Sequence, residues 1–503
     1  MALNTIRDIV VESSEKYADM TAFKYLNGKE IISKTYTDLR NDSETVSRIV
    51  EKFGLKTKHI ALIGTSSYEW IISYFGVVNS NSVAVPLDAA LPAAELYDLL
   101  NRSDSSALIY SSSYKAVAEG VKENCPAITH VICMQDDVTV DGEYSLPQLM
   151  QECAGSYETE IDADKMCTMM FTSGTTGKSK GVMLSHRNLA SNCDAIYVDI
   201  KPGTTSMSVL PIHHSYCLTA DILKSLTLGS EICLNDSLLH FSKNLKKFKP
   251  EVMLLVPLVI ETIYNQLRDT NSLIPKKMVA AAAFGGNLRI IFSGGAYLNP
   301  DLIDFFADYG IEILQGYGMT ECSPVISNNN QRSSKNGTVG KPLPNAEVKI
   351  IDEEICVKGS SVMLGYYKMP KETAEAIDED GWLHTGDLGH IDEDGFLCIT
   401  GRKKNLIILS NGENISPEEL ENVISKNDLV KEVLVRESGQ NIEAEVFPDF
   451  EYAEKHKIKD INGAVQKIID DFNADMPLYK RITSLKFRDV EFEKSTTKKI
   501  KRF

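Results

Sequence analysis

Residues 171–181 gather Thr172, Ser173, Gly174, Thr175, Thr176, Gly177, Lys178 and Lys180 directly behind an apolar run. These residue types suit the binding of a polyphosphate. Glycines let the backbone turn through positive φ and bring N–H groups close to an anion, hydroxyls donate hydrogen bonds, and the two lysines supply charge. A solvated hairpin turn is the competing reading, and the stretch alone leaves both open. Residues 172–179 also match a Walker-type loop, G-x-x-x-x-G-K-[ST], except that Thr172 stands where the first glycine belongs. Such a loop needs a helix beginning at its Lys-Ser end, so that the helix N-terminus faces the phosphates. Here Gly181-Val182-Met183-Leu184 follows, patterned like a strand, and the first helical signal comes at Ser185-His186-Arg187-Asn188. Strand, loop, strand is the wrong setting for a Walker nucleotidase.

The elements around this stretch alternate helix and strand. Residues 6–10 and 36–50 carry amphipathic helical patterns, whereas 59–64, 82–87, 107–110 and 129–133 read as buried strands. Helices between such strands make βαβ units and an α/β layered domain. Strand patterns return at 208–211, 230–234, 252–256 and 289–292. Ligands in open α/β sheets collect outside the carboxyl ends of strands, which directs attention to two turns. One is Ser293-Gly294-Gly295-Ala296; the other is Gln315-Gly316-Tyr317-Gly318-Met319-Thr320-Glu321. Beyond about residue 335 the pattern becomes short strands with Gly, Asn and Asp turns. The basic joint Gly401-Arg402-Lys403-Lys404-Asn405 interrupts it, and the last hundred residues read as a compact α+β unit with helices at 417–424 and 461–472.

Bulk properties bound the function. A length of 503 residues implies about three structural units by the usual domain sizes. A formal net charge of −17 argues against nucleic acid as a partner, so any bound phosphate must be met by local cations. Ten cysteines without a C-x-x-C pair, several inside apolar stretches, read as small core residues in a reducing compartment. No stretch reaches the length of a transmembrane segment, and the N-terminus lacks a signal-peptide pattern, giving a cytoplasmic expectation.

Taken in order, residues 171–181, Tyr317-Gly318-Met319-Thr320-Glu321, His384-Thr385-Gly386-Asp387, Gly401-Arg402 and the segment ending at Lys499 resemble the signatures of the adenylate-forming superfamily. This superfamily contains the AMP-forming acyl-CoA synthetases, peptide-synthetase adenylation domains and luciferases. The resemblance spans nearly the whole chain. It implies an α/β fold, with a large N-terminal AMP-binding domain, residues 1–403, built of layered α/β subdomains and a small β-rich region. A small mobile α+β domain, 404–503, would follow. It also implies a reaction in which a carboxylate attacks the α-phosphate of ATP, giving acyl-AMP and pyrophosphate.

The same resemblance implies residue roles. Thr172, Ser173, Gly174, Thr175, Thr176, Gly177 and Lys180 would grip the departing β- and γ-phosphates. Thr320 would bond the α-phosphate, and Glu321 would contribute to Mg²⁺ binding. Tyr317, with Gly316, Gly318 and Met319 beside it, would stack on adenine, with Gly294, Gly295 and Ala296 as the opposite wall. Asp387 would accept from the ribose hydroxyls, joined by Arg402. Lys499 would bridge the carboxylate and the α-phosphate; Lys498 stands before it where glycine is usual, and Ser179 stands where proline is usual. Lys404 matches the hinge, and Asn411 and Gly412 the channel for a pantetheine thiol.

The stretch Leu210-Pro211-Ile212-His213-His214-Ser215-Tyr216 bears on the acid. Amino acid adenylation domains usually carry an aspartate here to pair with the ammonium, and this stretch has none. His214 matches a residue flanking the carboxylate site, and His213 and His214 together would border the acyl pocket. The wording is most similar to fatty acyl-CoA synthetases, implying a medium- or long-chain fatty acid, ATP, Mg²⁺ and CoA. The alternative acceptor is the pantetheine of an acyl carrier protein. A degenerate nucleotide-binding regulator is disfavoured, since Lys499, Glu321 and Asp387 are all present.

Overall fold

The computed structural model describes residues 3–136, 142–172, 178–268, 274–408, 414–439, 441–494 and 500–502. The chain divides into two compact units, one formed by Met1–Val348 with Val357–Leu383, the other by Lys349–Cys356 with His384–Phe503.

The larger unit is built on two sheets of the α/β kind. An eight-stranded sheet is parallel through His59–Ile63, Val83–Leu87, Ser105–Tyr110 and His130–Cys133, and Met166–Thr172 joins the same parallel set. Lys180–Ser185 then runs antiparallel to Met166–Thr172, and Gly365–Tyr366 closes that edge. Ala61, Ile63, Val85, Leu87, Leu108 and Tyr110 of the central strands pack with Leu96, Leu99, Val117 and Val121 of the covering helices, all buried. A nine-stranded sheet carries Thr205–Ser208, Glu231–Leu234, Val252–Leu255, Ile290–Ser293 and Glu312–Gly318 in parallel. Its core joins Met207, Met253, Leu255, Ile291 and Ile313 to Ile260, Ile263, Phe284 and Phe306.

Helix starts follow local chemistry. Thr5 with Asp8, Thr35 with Asp38, and Ser185 with Asn188 form reciprocal capping boxes at the entries to Ile6–Tyr17, Tyr36–Lys52 and His186–Ala195. The last of these is the helical signal read from 185–188. Three local expectations are corrected. The strand expected at 208–211 ends at Ser208; Pro211 has no N–H to donate, and the chain turns there, with His214 N–H bonded to the Pro211 carbonyl. The segment 315–321 is not simply a turn: the strand runs on to Gly318, pairing antiparallel with Val325–Asn328, and a 3₁₀ turn covers Thr320–Cys322. Likewise Gly401 and Arg402 complete the strand Leu397–Arg402 before a 3₁₀ turn at Lys403–Asn405.

The smaller unit contains the antiparallel pairing of Leu383–Ile391 with Leu397–Arg402, from His384 onward on the first strand. It also holds a three-stranded sheet of Val430–Ser438, Asn441–Pro448 and Ile482–Phe487, covered by the helices Pro417–Ile424 and Ile461–Asp475. All ten cysteines are free thiols, nine of them buried. Among the described residues no helix is long and apolar enough to cross a membrane.

Candidate active site

The strands flanking residues 173–177 fix where that loop begins and ends. Phe171 opposes Gly181 and Thr172 opposes Lys180 in an antiparallel register. This strand, loop, strand setting is the one that excludes a Walker nucleotidase. Ser173, Gly174, Thr175, Thr176 and Gly177 themselves lie outside the described residues. On the returning strand, Arg102 from the end of helix Ala93–Arg102 donates to the Ser179 carbonyl, and its guanidinium lies 5.7 Å from the Phe171 ring centroid.

Lys180 leads to a second group. Its Nζ sits 4.6 Å from the centroid of the Tyr366 ring, whose hydroxyl donates to Glu321 Oε1 at 2.9 Å. Burial, then the adjacent Glu321 charge, push the Tyr366 phenol well above its ordinary range, so it stays a proton-bearing donor. Glu321 is 8% exposed, and its own carbonyl accepts from Met363 N–H at 2.9 Å. Beside it Thr320 Oγ1 lies 3.1 Å from Ser215 Oγ, which ties the Thr320–Glu321 turn to the stretch 210–216. In that stretch the His213 and His214 rings are 4.2 Å apart, and His213 Nε2 is 3.6 Å from Asp88 Oδ1. Burial, then the neighbouring imidazole, lower the His213 pKa to about 4, which keeps the ring neutral near pH 7. A π-helix, Tyr216–Leu223, continues from Ser215, an irregularity often found at functional sites.

The two glycine-rich segments stand at the carboxyl ends of neighbouring parallel strands, with Ser293 opposite Gln315. Gly294 is buried, and a Cβ there would lie 3.2 Å from the Tyr216 ring and 3.4 Å from the Gly316 carbonyl. Glycine here lets the Tyr216 ring pack closely against the turn. Gly295 and Ala296 are exposed on the following turn, while Tyr317 is buried on its strand between the half-buried Gly316 and Gly318, with Met319 next. Ser293 Oγ and Gln315 Oε1 are buried without a hydrogen-bond partner among the described residues. Buried polar atoms are normally satisfied, so this edge is prepared for a polar ligand.

In the smaller unit Asp387 and Arg402 oppose each other on adjacent strands, with Asp387 Oδ1 2.7 Å from Arg402 Nε. Asp387 is buried, and its N–H donates to Thr385 Oγ1 at 3.1 Å. Gly386 takes φ +71, a conformation that costs a side-chain-bearing residue strain, and donates its N–H to Glu354 Oε1 at 2.9 Å. Glu354 is also held by Lys403 at 2.8 Å. Lys404 lies next to this pair, its pKa lowered by burial and then by Arg402. Arg502 is bound to Glu421 and, at 3.3 Å, to Glu418, which anchors the chain just beyond Lys499. Lys499, Asn411 and Gly412 lie outside the described residues.

Sequence reading did not single out Tyr366, Arg102, Ser215 or Glu354. The doublet Tyr366-Tyr367 behind Gly365 was a legible signal; Arg102 and Glu354 are distant in sequence from what they hold and left none. The residues present fit their expected ligands on this geometry. The unsatisfied Ser293 and Gln315 side chains at this strand edge fit a polar ligand such as a nucleotide base. A carboxylate held by a phenol rather than a cation fits Mg²⁺, which prefers hard oxygen donors.

The sequence profile of the AMP-binding enzyme family matches residues 10–367, and that of the AMP-binding enzyme C-terminal domain matches 404–502. A long-chain-fatty-acid–CoA ligase of Salmonella typhimurium is 30% identical over 475 residues, covering 85% of this chain and 82% of that protein. A ligase of the same name from Bacillus subtilis is 29% identical, covering 86% and 82%. Among solved structures, the anthranilate CoA ligase AuaEII with anthranoyl-AMP superposes with a TM-score of 0.87 at 20% identity, over 99% of this chain and 96% of that one. ATP-bound MatB from Rhodopseudomonas palustris gives 0.82 at 26% identity, over 98% and 97%. The chain therefore belongs to the AMP-binding enzyme family, as an adenylate-forming ligase of the acyl-CoA synthetase type.

Proposed function

We propose that this enzyme activates a medium- or long-chain fatty acid to its acyl-AMP, with release of pyrophosphate, and then passes the acyl group to the thiol of CoA. Acid adenylation and CoA ligation follow from the family; the fatty acid is the finer part of the reading. The observation that carries it is the 210–216 stretch, which lacks a carboxylate of its own and presents a neutral His213, together with the long-chain ligases among the relatives. A neutral, apolar-tolerant wall suits an alkyl chain better than an ammonium group.

The proposed roles divide between the two units. In the larger one, Thr172, residues 173–177 and Lys180 hold the leaving pyrophosphate, Thr320 bonds the α-phosphate, and Tyr317 and residues 294–296 receive adenine. Bound at Glu321, Mg²⁺ would offset phosphate charge. In the smaller one, Asp387 accepts from the ribose hydroxyls with Arg402 beside it, and Lys499 stabilises the charge that develops as the carboxylate attacks. Residues 1–403 and 404–503 are proposed as the functional domains, with Lys404 as hinge and Asn411 and Gly412 at the thiol channel. His213 and His214 border the carboxylate and acyl pocket. Action in the cytoplasm accords with ten free thiols. An acyl carrier protein is the alternative acceptor.

Pyrophosphate release measured over a panel of carboxylic acids, with and without CoA, tests the reading. Mg²⁺-ATP turnover should be largest with fatty acids of medium or long chain and should require CoA for repeated turnover. Turnover restricted to aryl or dicarboxylic acids would overturn the fatty acid assignment, and stimulation by holo-acyl carrier protein in place of CoA would reassign the acceptor. Lys499→Ala should lower adenylation by about 100-fold or more while thioester formation from supplied acyl-AMP falls far less.

A further inference from the structure

The strand Glu354–Gly359 and the strand Leu383–Ile391 bring together three side chains that the adenylation chemistry does not use. Cys356 Sγ lies 3.5 Å from His384 Nδ1, which lies 3.3 Å from Glu354 Oε2. The three ligand atoms all fall within 4.8 Å of one another, and they form the one such grouping of three or more among the described residues. Cys356 and Glu354 are buried, while the His384 side chain is 30% exposed, which leaves an approach from solvent.

We propose that Cys356, His384 and Glu354 form a binding site for a thiophilic divalent cation of the Zn²⁺ class, separate from the Mg²⁺ of the nucleotide. Zinc bonds of about 2.3 Å to sulfur and about 2.0–2.1 Å to nitrogen and oxygen, at tetrahedral angles, place S and N about 3.5 Å apart and N and O about 3.3 Å apart. Two of the three edges of the triad already have these lengths, and the third, within 4.8 Å, closes if the Glu354 carboxylate shifts toward Cys356. A thiolate, an imidazole and a carboxylate leave the fourth position to water, as in open zinc sites. Binding replaces the Cys356 thiol proton, which passes to solvent, and uses the His384 tautomer that carries its proton on Nε2.

Lys403 sets the affinity. Its Nζ lies 2.8 Å from the same Glu354 Oε2, so lysine and metal compete for one oxygen. Hard Mg²⁺, which avoids sulfur, does not displace it. The site is thus a low-occupancy one that fills as free zinc rises, and filling it weakens the hold of Lys403 on Glu354.

The test uses the full-length protein and two probes, Zn²⁺ competed against a chromophoric chelator and Co²⁺ followed by its thiolate charge-transfer absorption. Wild type should bind one Zn²⁺ in competition with the chelator and show the cobalt–thiolate band. Cys356→Ser should abolish the band, Glu354→Gln should weaken binding about tenfold, and Cys398→Ser should change neither. Lys403→Met should tighten binding by about threefold or more, since it removes a cation facing the metal. That gain cannot come from misfolding. A band that survives in Cys356→Ser, absence of zinc binding in the wild type, or weaker binding in Lys403→Met would each overturn the site.

Discussion

Glu321 in the larger unit and Asp387 in the smaller one are both buried carboxylates, the first on a 3₁₀ turn and the second within a strand, yet they are held in opposite ways. Glu321 accepts from the Tyr366 phenol, and among the described residues no cation pairs with it. Asp387 has a guanidinium 2.7 Å from Oδ1. The difference suits the ligand proposed for each. A carboxylate waiting for a divalent cation keeps its attraction only if no protein cation has already neutralised it, and a neutral hydroxyl orients it without doing so. A carboxylate that accepts from neutral sugar hydroxyls gains nothing from bare charge, and an adjacent guanidinium fixes its geometry while remaining available to phosphate. Glu354, bound by Lys403 and by the Gly386 N–H, repeats the second arrangement one step away from the ligand.

Substitutions at the two carboxylates should separate these roles. Glu321→Gln keeps the shape and can still accept from Tyr366, but loses the charge. Its kcat/KM for adenylation should fall by about 100- to 1000-fold, and the remaining activity should need far more Mg²⁺. Asp387→Asn should raise the KM for ATP by about 10- to 100-fold, in keeping with loss of about 1.5–3 kcal/mol for hydrogen bonds to a charged group. Its Mg²⁺ dependence should not move. If Asp387→Asn shifted the Mg²⁺ dependence and Glu321→Gln did not, the contrast between the two carboxylates would be wrong. Tyr366→Phe removes only the orienting hydroxyl. A rise of about 3- to 10-fold in the Mg²⁺ concentration for half-maximal rate is expected, with little change in the KM of the acid.

The sequence was most informative where function compresses chemistry into short segments. Residues 171–181, 317–321 and 384–387 are short and dense in polar groups: residue types made the first a candidate phosphate cradle, the ordered resemblance they carry together implied the metal and ribose roles, and the alternation of strands and helices pointed to the α/β layers. What stayed hidden depends on distance along the chain. Tyr366 meets Glu321 across 45 residues, Lys403 meets Glu354 across 49, and Arg102 reaches Ser179 across 77. No periodicity records such pairings, because sheet order rather than sequence order makes them neighbours. Strand ends were misjudged for a related reason: Gln315 to Gly318 look like a glycine turn, but pairing with Val325–Asn328 holds them extended.

The smallest effect concerns how residues 173–177 are tethered. Arg102 bonds the Ser179 carbonyl and faces the Phe171 ring, so one side chain clasps the strands on both sides of the loop. Its other partner, Asp98, is an exposed helix pair and contributes little. Relatives of this family usually carry proline at the position of Ser179, which would restrict the backbone without help from another residue. Serine leaves φ free, and Arg102 supplies the restraint. Arg102→Ala should therefore raise the KM for ATP by about two- to fivefold with kcat nearly unchanged, the size expected for about 0.4–1 kcal/mol of lost backbone order. The Ser179 N–H makes no hydrogen bond among the described residues, so proline there removes no partner among them. Adding Ser179→Pro to Arg102→Ala should restore most of the ATP affinity. A double variant no better than Arg102→Ala would mean that Arg102 acts by its charge near the phosphates rather than by restraining the strand.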